Sequence, residues 1–372
     1  MKEKLYFNNL NGLRFFAALM VVICHIELNK KYFLLTNYRE QLRYLGDVGV
    51  DLFFVLSGFL ITILLLKEKE IYSFISFKKF YLRRILKIWP LYYFIIILSL
   101  FILPNFSLFY INGAYFDYDS KELIKVIVMF ILMLPNLLYL IIPIPFAAQA
   151  WSIGTEEQFY IIWPIIVNQF NKYKTIFLSC IIIYWIFYGC LHLSFLNNLP
   201  YIELLKNYYR LLKFDLLSVG AFGAVLFYEK DKRLHFFYNS FVFIASIIAI
   251  VLLYIYMPNL YEFFRLFYAI LFIIIILNLV GNKKLENIFE NQLLNYLGKI
   301  SYGIYMYHQI IIVFFINILL KYFNKFEQLN NILIYSSSII LTVIVSHLSY
   351  AFFEKPILRY KSRFSLFINE KQ

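Results

Sequence analysis

The sequence predicts an all-α, polytopic integral membrane protein with about ten transmembrane helices, one re-entrant segment and both termini cytoplasmic. Three observations carry that reading. Of 372 residues, 62% are hydrophobic and only 15% charged, whereas ordinary soluble domains run at about 45–50% and about 25%. The apolar runs recur from end to end instead of forming one anchor, and the mean hydropathy is +0.71. The 35 basic residues outnumber the 22 acidic ones, for a net charge of +13, and many sit between the apolar runs, as Lys and Arg do in cytoplasmic loops. A soluble enzyme, a disordered chain, a collagen-like fibre and a receptor with a single anchor are thereby excluded. Nucleic acid is not the expected partner of this positive charge. Cys24, Cys180 and Cys190 lie in or beside apolar runs without metal-ligand spacing, so no disulfide framework or metal site is expected.

A helix needs about 20 residues to cross a bilayer. Crossings are therefore expected at 8–28, 46–66, 89–103, 153–167, 176–192, 208–228, 236–257, 263–280, 298–320 and 331–353. The first run carries Arg14 and no small-residue cleavage site, so it reads as a retained helix, not a signal peptide. The second delivers the chain into 67–88, where Lys67, Lys69, Lys78, Lys79, Arg83, Arg84 and Lys87 mark the cytoplasmic side. The basic residues of the 29–45 loop, Lys30, Lys31, Arg39 and Arg43, breach that rule locally. The apolar stretch 123–142 contains Pro135-Asn136 and is followed by Pro143 and Pro145. Proline removes a backbone donor and disfavours helix before it, so this stretch reads as two half-helices dipping in from the outer face. Farther on, the Glu229–Arg233 loop, the Lys283-Lys284 turn and the tail residues Lys355, Arg359, Lys361 and Arg363 all read as cytoplasmic. No repeat or linker appears. Residues 1–372 read as one membrane domain, with a core at 8–353 and a cytoplasmic tail at 354–372.

Ionisable groups at membrane depth are costly and mark function by default. Arg14 and His25 are eleven residues apart, about 1100° of rotation and roughly 16 Å of rise, so they share one helix face. In the second helix Asp47 and Asp51 are neighbours four residues apart. Asp47 reads as a helix cap, and Asp51 as the carboxylate that orients His25. Ser57-Gly58 lacks the strand-turn-helix context of an exposed nucleophile and reads as close helix packing. Arg83, Arg84 and Lys87 precede Trp89-Pro90. They serve as cytoplasmic anchors or, facing a pocket, as a phosphate clamp. Trp151, Ser152, Glu156 and Glu157 open a helix; capping explains Ser152 and one glutamate but not both. Tyr302, Tyr305 and Tyr307 read as an interfacial belt, with His308 a second-site candidate. His347 reads as packing and Glu354 as the partner of a basic residue.

These residues form a pattern. The chain resembles the acyltransferase-3 family of integral membrane acyltransferases. The matching stretches are Asn11-Gly12-Leu13-Arg14 with His25, Gly49 to Ile61, Arg83 to Pro90, Trp151 to Tyr160, Phe214 to Gly220, Leu297 to His308 and Phe353 to Pro356, in family order. The resemblance implies an acetyl-CoA donor, transfer to a hydroxyl of a surface polysaccharide or lipid-linked glycan, a ten-helix fold, and essential roles for Arg14 and His25. It places the basic cluster on the donor side. Lys87 stands where the family usually has a third arginine, and Ile153 where it has leucine. Many relatives carry a carboxy-terminal SGNH hydrolase-like domain. This sequence shows none, so direct transfer to the glycan or a separate extracytoplasmic partner is expected.

The expected enzyme is an O-acetyltransferase of the inner, cytoplasmic membrane, in contact with membrane lipid and open to homo-oligomerisation. His25, Asp51 and Glu156 are its catalytic candidates. Arg14, Arg83, Arg84 and Lys87 are expected to hold the donor, with Arg14 guiding its arm into a cavity between helices. Trp151, Ser152, Tyr302 and His308 are expected to meet the substrate, with Glu156 and Trp151 on the outward, acceptor side. His25 acts as general base or as transient acyl carrier. A carrier that flips lipid-linked sugars is the alternative, since it shares the polytopic build, the broken segment and the buried charges.

Overall fold

A computed structural model describes residues 7–111, 113, 118–142, 144–322, 327–361 and 364, with backbone only for 327–330. Pro143, Arg363 and most of the tail after Lys361 lie outside the described residues. Helices make up the described chain, with no strand among the described residues. They are α1 (Leu10–Tyr32), α2 (Leu45–Tyr72), α3 (Phe77–Ile97), α4 (Ser120–Ile131), α5 (Pro135–Ile141), α6 (Ala150–Gln169), α7 (Tyr173–Leu191) and α8 (Ile202–Leu212). Then follow α9 (Phe214–Tyr228), α10 (Leu234–Phe237), α11 (Ser240–Tyr256), α12 (Tyr261–Gly281), α13 (Gln292–Lys299), α14 (Ser301–Tyr322), α15 (Glu327–Ser349) and α16 (Lys355–Lys361).

Eight helical stretches are long and apolar enough to span a bilayer, including Phe77–Asn105, Ile202–Tyr228 and Asn331–Lys361, each built from consecutive elements. The chain is a multi-pass membrane protein. α6 and the 17-residue α11 occupy the two remaining expected positions. α3 starts well before the expected crossing at 89 and runs through Pro90, so the basic residues of 67–88 sit on two helix ends and not in a loop. The 123–142 stretch forms two short helices, α4 and α5, with Pro135 in the first turn of the second, where a missing N–H is harmless.

The basic residues of 29–45 are largely consumed locally, which accounts for the breach of the charge rule there. Lys30, fully buried, pairs with Glu27 at 2.6 Å. Tyr335 and the Tyr38 backbone N–H also donate to Glu27, tying this loop to α15. Arg39 donates to the Arg43 carbonyl at 2.9 Å.

Two close approaches set the bundle. A Cβ on Gly58 would lie 1.9 Å from the Leu217 carbonyl, and one on Gly220 would lie 2.0 Å from that of Val55. α2 and α9 therefore cross backbone to backbone, the packing that small residues permit in membranes. At the start of α1, the fully buried Asn9 takes a left-handed conformation with φ 67°. Its amide donates to the carbonyls of Leu279, Leu285 and Glu286 and its oxygen accepts from Phe289 N–H. The tail returns to the same end, where the Phe364 carbonyl accepts from Arg83 at 3.0 Å.

Because its Cβ would meet backbone at under 3 Å, Gly220→Val should cost several kcal/mol, at or above the roughly 1–3 kcal/mol of core overpacking. Gly189 in α7 has nothing within 4 Å, so Gly189→Ala should be neutral or stabilise by up to about 1 kcal/mol. Melting temperatures of the two purified variants in one detergent check the contrast.

Candidate active site

α1 carries both ends of the site. Near its start, Arg14 donates to Asn11 Oδ1 at 3.3 Å. α3 presents Arg84 and Lys87, three residues apart and hence on one face. Arg83, about 100° round the helix, turns away and pairs with Glu68 at 3.1 Å. The Arg84 guanidinium stands 5.0 Å from the centre of the Tyr160 ring, a cation–π geometry. Arg14, Arg84, Lys87 and Glu156 all lie within reach of one another's charge. Among the described residues none of the three cations has a carboxylate at ion-pair distance. Glu156 instead accepts from Ser57 Oγ at 2.7 Å and from Tyr160 Oη at 3.1 Å. The cluster thus has more positive than negative charge and suits an anion.

Toward the other end of α1, His25 Nδ1 lies 2.8 Å from His308 Nε2. The ring centres are 4.9 Å apart and the planes 23° apart, the near-coplanar arrangement of a hydrogen bond between two imidazoles. His308 Nδ1 is 2.6 Å from the Tyr305 carbonyl, which only accepts. His308 therefore carries its proton on Nδ1, and in the neutral ring its Nε2 accepts. His25 must then donate from Nδ1, which leaves its Nε2 as a bare lone pair. One turn on, Asn29 donates to the His25 carbonyl and to Gln309 Oε1, both at 2.8 Å, and holds α1 against α14.

The expected Asp51–His25 contact does not form. A Cβ on Gly49 would meet the Ala17 carbonyl at 2.6 Å, so Gly49 faces α1. Asp51, about 200° farther round α2, must face the other way. There it accepts from Lys213 at 2.6 Å and from Tyr261 Oη, all three side chains being buried. Asp47 is no cap: Tyr44 is the N-cap residue of α2, and Asp47 points at Lys213, 3.9 Å away. Ser152 is no cap either. It lies in the first turn of α6, after the N-cap residue Gln149, and bonds to Tyr305 Oη at 2.7 Å. Glu156 lies nearly two turns into α6, within reach of the charges of Arg84 and Lys87. Trp151, at the α6 start, does lie at the opposite end, with Lys213 Nζ 5.6 Å over its ring.

The tyrosines of α14 are no belt. Tyr302 donates to the Ile88 carbonyl at 2.9 Å, Tyr305 to the Gln149 carbonyl at 3.0 Å and Tyr307 to Ser349 at 3.0 Å. Tyr302 is thereby committed to α3. His347 meets Tyr296, and Glu354 accepts from Ser349 at 3.1 Å while lying within reach of the Lys87 charge. On α1 between Arg14 and His25 stand Ala18 and Val21, both buried.

Sequence reasoning missed Lys213 and Tyr160 and undervalued His308. Lys213 lies inside an apolar run, where a lysine demands a carboxylate. Tyr160 follows Glu156 by four residues, one helical turn. Those were readable signals.

The profile of the acyltransferase-3 family, described as an acyltransferase domain, matches residues 7–351. A candidate O-acetyltransferase of Staphylococcus aureus (strain COL) is 28% identical over 387 residues, covering 95% of this chain and 58% of that protein. A candidate peptidoglycan O-acetyltransferase of Bacillus subtilis, YrhL, is 28% identical over 95% of this chain and 55% of its own length. The peptidoglycan O-acetyltransferase OatA of Listeria monocytogenes is also 28% identical, over 95% of this chain and 56% of its own. The chain thus spans a little over half the length of these relatives. No solved structure matches it.

Asp51 is the closer buried partner of Lys213, so Asp51→Ala leaves that lysine only Asp47, 3.9 Å away, and should cost about 3 kcal/mol, the lower end of the roughly 3–5 kcal/mol for breaking a buried pair. It should not alter the His25 imidazole, which it does not touch. Thermal unfolding reads the first effect. The titration of His25 followed by NMR reads the second, and an Asp51-dependent shift there would contradict this geometry.

Proposed function

The chain belongs to the acyltransferase-3 family, and from that premise we propose that it is a membrane O-acetyltransferase. Its acceptor is a hydroxyl of a cell-surface glycan, with peptidoglycan, named for two of its relatives, the first to test. Acetyl-CoA is the donor. Residues 1–372 act as one domain, in the cytoplasmic membrane, with both termini and the cation cluster on the cytoplasmic side. The observation that carries this reading is that one helix, α1, holds Arg14 in an anion-ready cluster and His25 in a base-ready pair.

The donor supplies a thioester carbonyl as electrophile. Arg14, Arg84 and Lys87 fit its phosphates because no protein carboxylate claims them among the described residues; Arg83 is held by Glu68 and supports them from behind. His25 Nε2 takes the proton of the acceptor hydroxyl as the new C–O bond forms and the C–S bond breaks, and that proton ends on the departing thiol. His308 keeps His25 in the required tautomer and receives the Nδ1–H bond that strengthens as His25 becomes cationic, the part a carboxylate plays in a catalytic triad. Glu156, fixed by Ser57 and Tyr160, balances the cluster. Trp151 and Tyr139, with ring centres 6.5 Å apart at the other end, offer an aromatic surface for the sugar. The arm reaches from the cluster toward His25 along the α1 face that carries Ala18 and Val21.

Purified protein with radiolabelled acetyl-CoA and peptidoglycan fragments tests this. His25→Ala should lose about 10²–10⁴-fold in turnover, the worth of a general base. His308→Gln, whose amide oxygen can still accept from Nδ1, should retain more activity than His308→Ala and shift the pH–rate profile. Normal acetylation by His25→Ala overturns the mechanism, and movement of glycan without modification identifies a carrier.

A further inference from the structure

Lys361 has no assigned task beyond the cytoplasmic charge of the tail, yet its placement calls for one. The helix of the last span does not end at Ser349. It widens into a π-helical turn at Tyr350–Glu354 and continues as α16, which packs along α3. That path brings the half-buried Lys361 within reach of the charges of Arg84, Arg83 and Arg14, with no acidic group among its electrostatic neighbours. Lys87 in turn feels Arg14, Lys361 and Arg84. No hydrogen bond or ion pair engages Lys361 among the described residues. Just beyond it, the Phe364 carbonyl accepts from Arg83 at 3.0 Å, which pins the tail in place.

A lysine that only marks the cytoplasmic side would point its ammonium at water or headgroups. This one is half-buried on a helix packed along α3, within reach of other cations, where like charges repel strongly in a low-dielectric surround. Four cations, Arg14, Arg84, Lys87 and Lys361, outnumber the three carboxylates within reach of the cluster, Glu156, Glu157 and Glu354. The excess of positive charge therefore asks for an anionic ligand. A neutral sugar does not meet that demand; a nucleotide-type pyrophosphate or phosphomonoester does, and its several oxygens can engage more than one of these cations.

We infer that Lys361, carried back onto α3 by the helix after the last span, is a phosphate-binding residue that completes the site for a multiply phosphorylated soluble donor. The inference rests on the donor side of the proposed function and adds to it a residue from the opposite end of the chain.

The full chain in nanodiscs of zwitterionic lipid, titrated with CoA by calorimetry, tests it. Loss of one charge-assisted contact should weaken CoA binding about ten- to hundredfold in Lys361→Gln, and Lys361→Arg should bind nearly as the unmutated protein does. Equal weakening in both variants marks a packing role and overturns the inference. In the unmutated protein the CoA Kd should rise steeply with KCl, and a flat dependence also overturns it, with no variant needed. If Lys361→Gln keeps its CoA affinity but loses a melting-temperature gain that phosphatidylglycerol confers, the residue serves lipid headgroups and the inference falls. Should the unmutated protein bind no CoA at all, the donor reading itself fails. CoA binding that is the same with and without Lys361 removes only this residue.

Discussion

In hydrocarbon a charge or backbone polar group without a partner costs several kcal/mol, and that constraint sorts the polar residues of this protein into two kinds. Most of the deeply buried ones are matched in ion pairs. Glu27 holds Lys30, Asp51 holds Lys213, Glu68 holds Arg83 and Asp215 holds Arg265. Three of these pairs join different helices or, for Lys213, the junction between two helices, and Glu27, paired within α1, also accepts from Tyr335 and the Tyr38 N–H, so they fix how helices and loops meet. Against that background of matched charge, the groups left open stand out. They are Arg14, Arg84, Lys87 and Lys361 at one end, and the Nε2 lone pair of His25 farther along the same helix. A site that must admit an anion and move a proton needs open groups, and the matched pairs elsewhere keep its frame from rearranging.

The packing serves the same end. Gly58 and Gly220 let α2 and α9 meet backbone to backbone, and Gly49 lets α2 press on α1. With α2 held on two sides, the angular positions of its polar residues are settled: Ser57 toward Glu156, Asp47 and Asp51 toward Lys213. Asn9 does similar work for α1, binding its first turn to the 279–290 segment through both atoms of its side-chain amide. The orientation of Arg14 and His25 depends on that anchorage, since both ride on the one helix.

Much of the fold was legible in the chain. Ten apolar stretches in the sequence have ten helical counterparts, and Pro135 does divide the 123–142 stretch into two short helices. Less of the site was legible. The shared face of Arg14 and His25 follows from helical periodicity, and the pairing of Arg84 with Lys87 from their spacing. Asp51 was assigned to the wrong neighbour because depth along a helix can be counted from sequence, whereas the direction a helix turns toward its neighbours cannot. Ser152, Glu156 and Tyr302 were misread for a related reason. Each has a plausible local duty as cap or anchor, and only the partner helix reveals that Ser152 meets Tyr305, Glu156 meets Ser57 and Tyr302 meets the backbone of α3.

Composition and periodicity by themselves determined that this chain lives in a membrane as a bundle of helices, since apolar runs of spanning length have no other stable home. They also determined which residue types must sit at membrane depth and demand an explanation. Which of those residues are satisfied by one another and which stay open for chemistry was decided by tertiary structure alone. His25 and His308 are separated by 283 positions, and Asp51 and Lys213 by 162. No local rule spans such intervals: the rotation and contact of whole helices, set by where glycines allow close approach, bring one pair together to act and the other to hold.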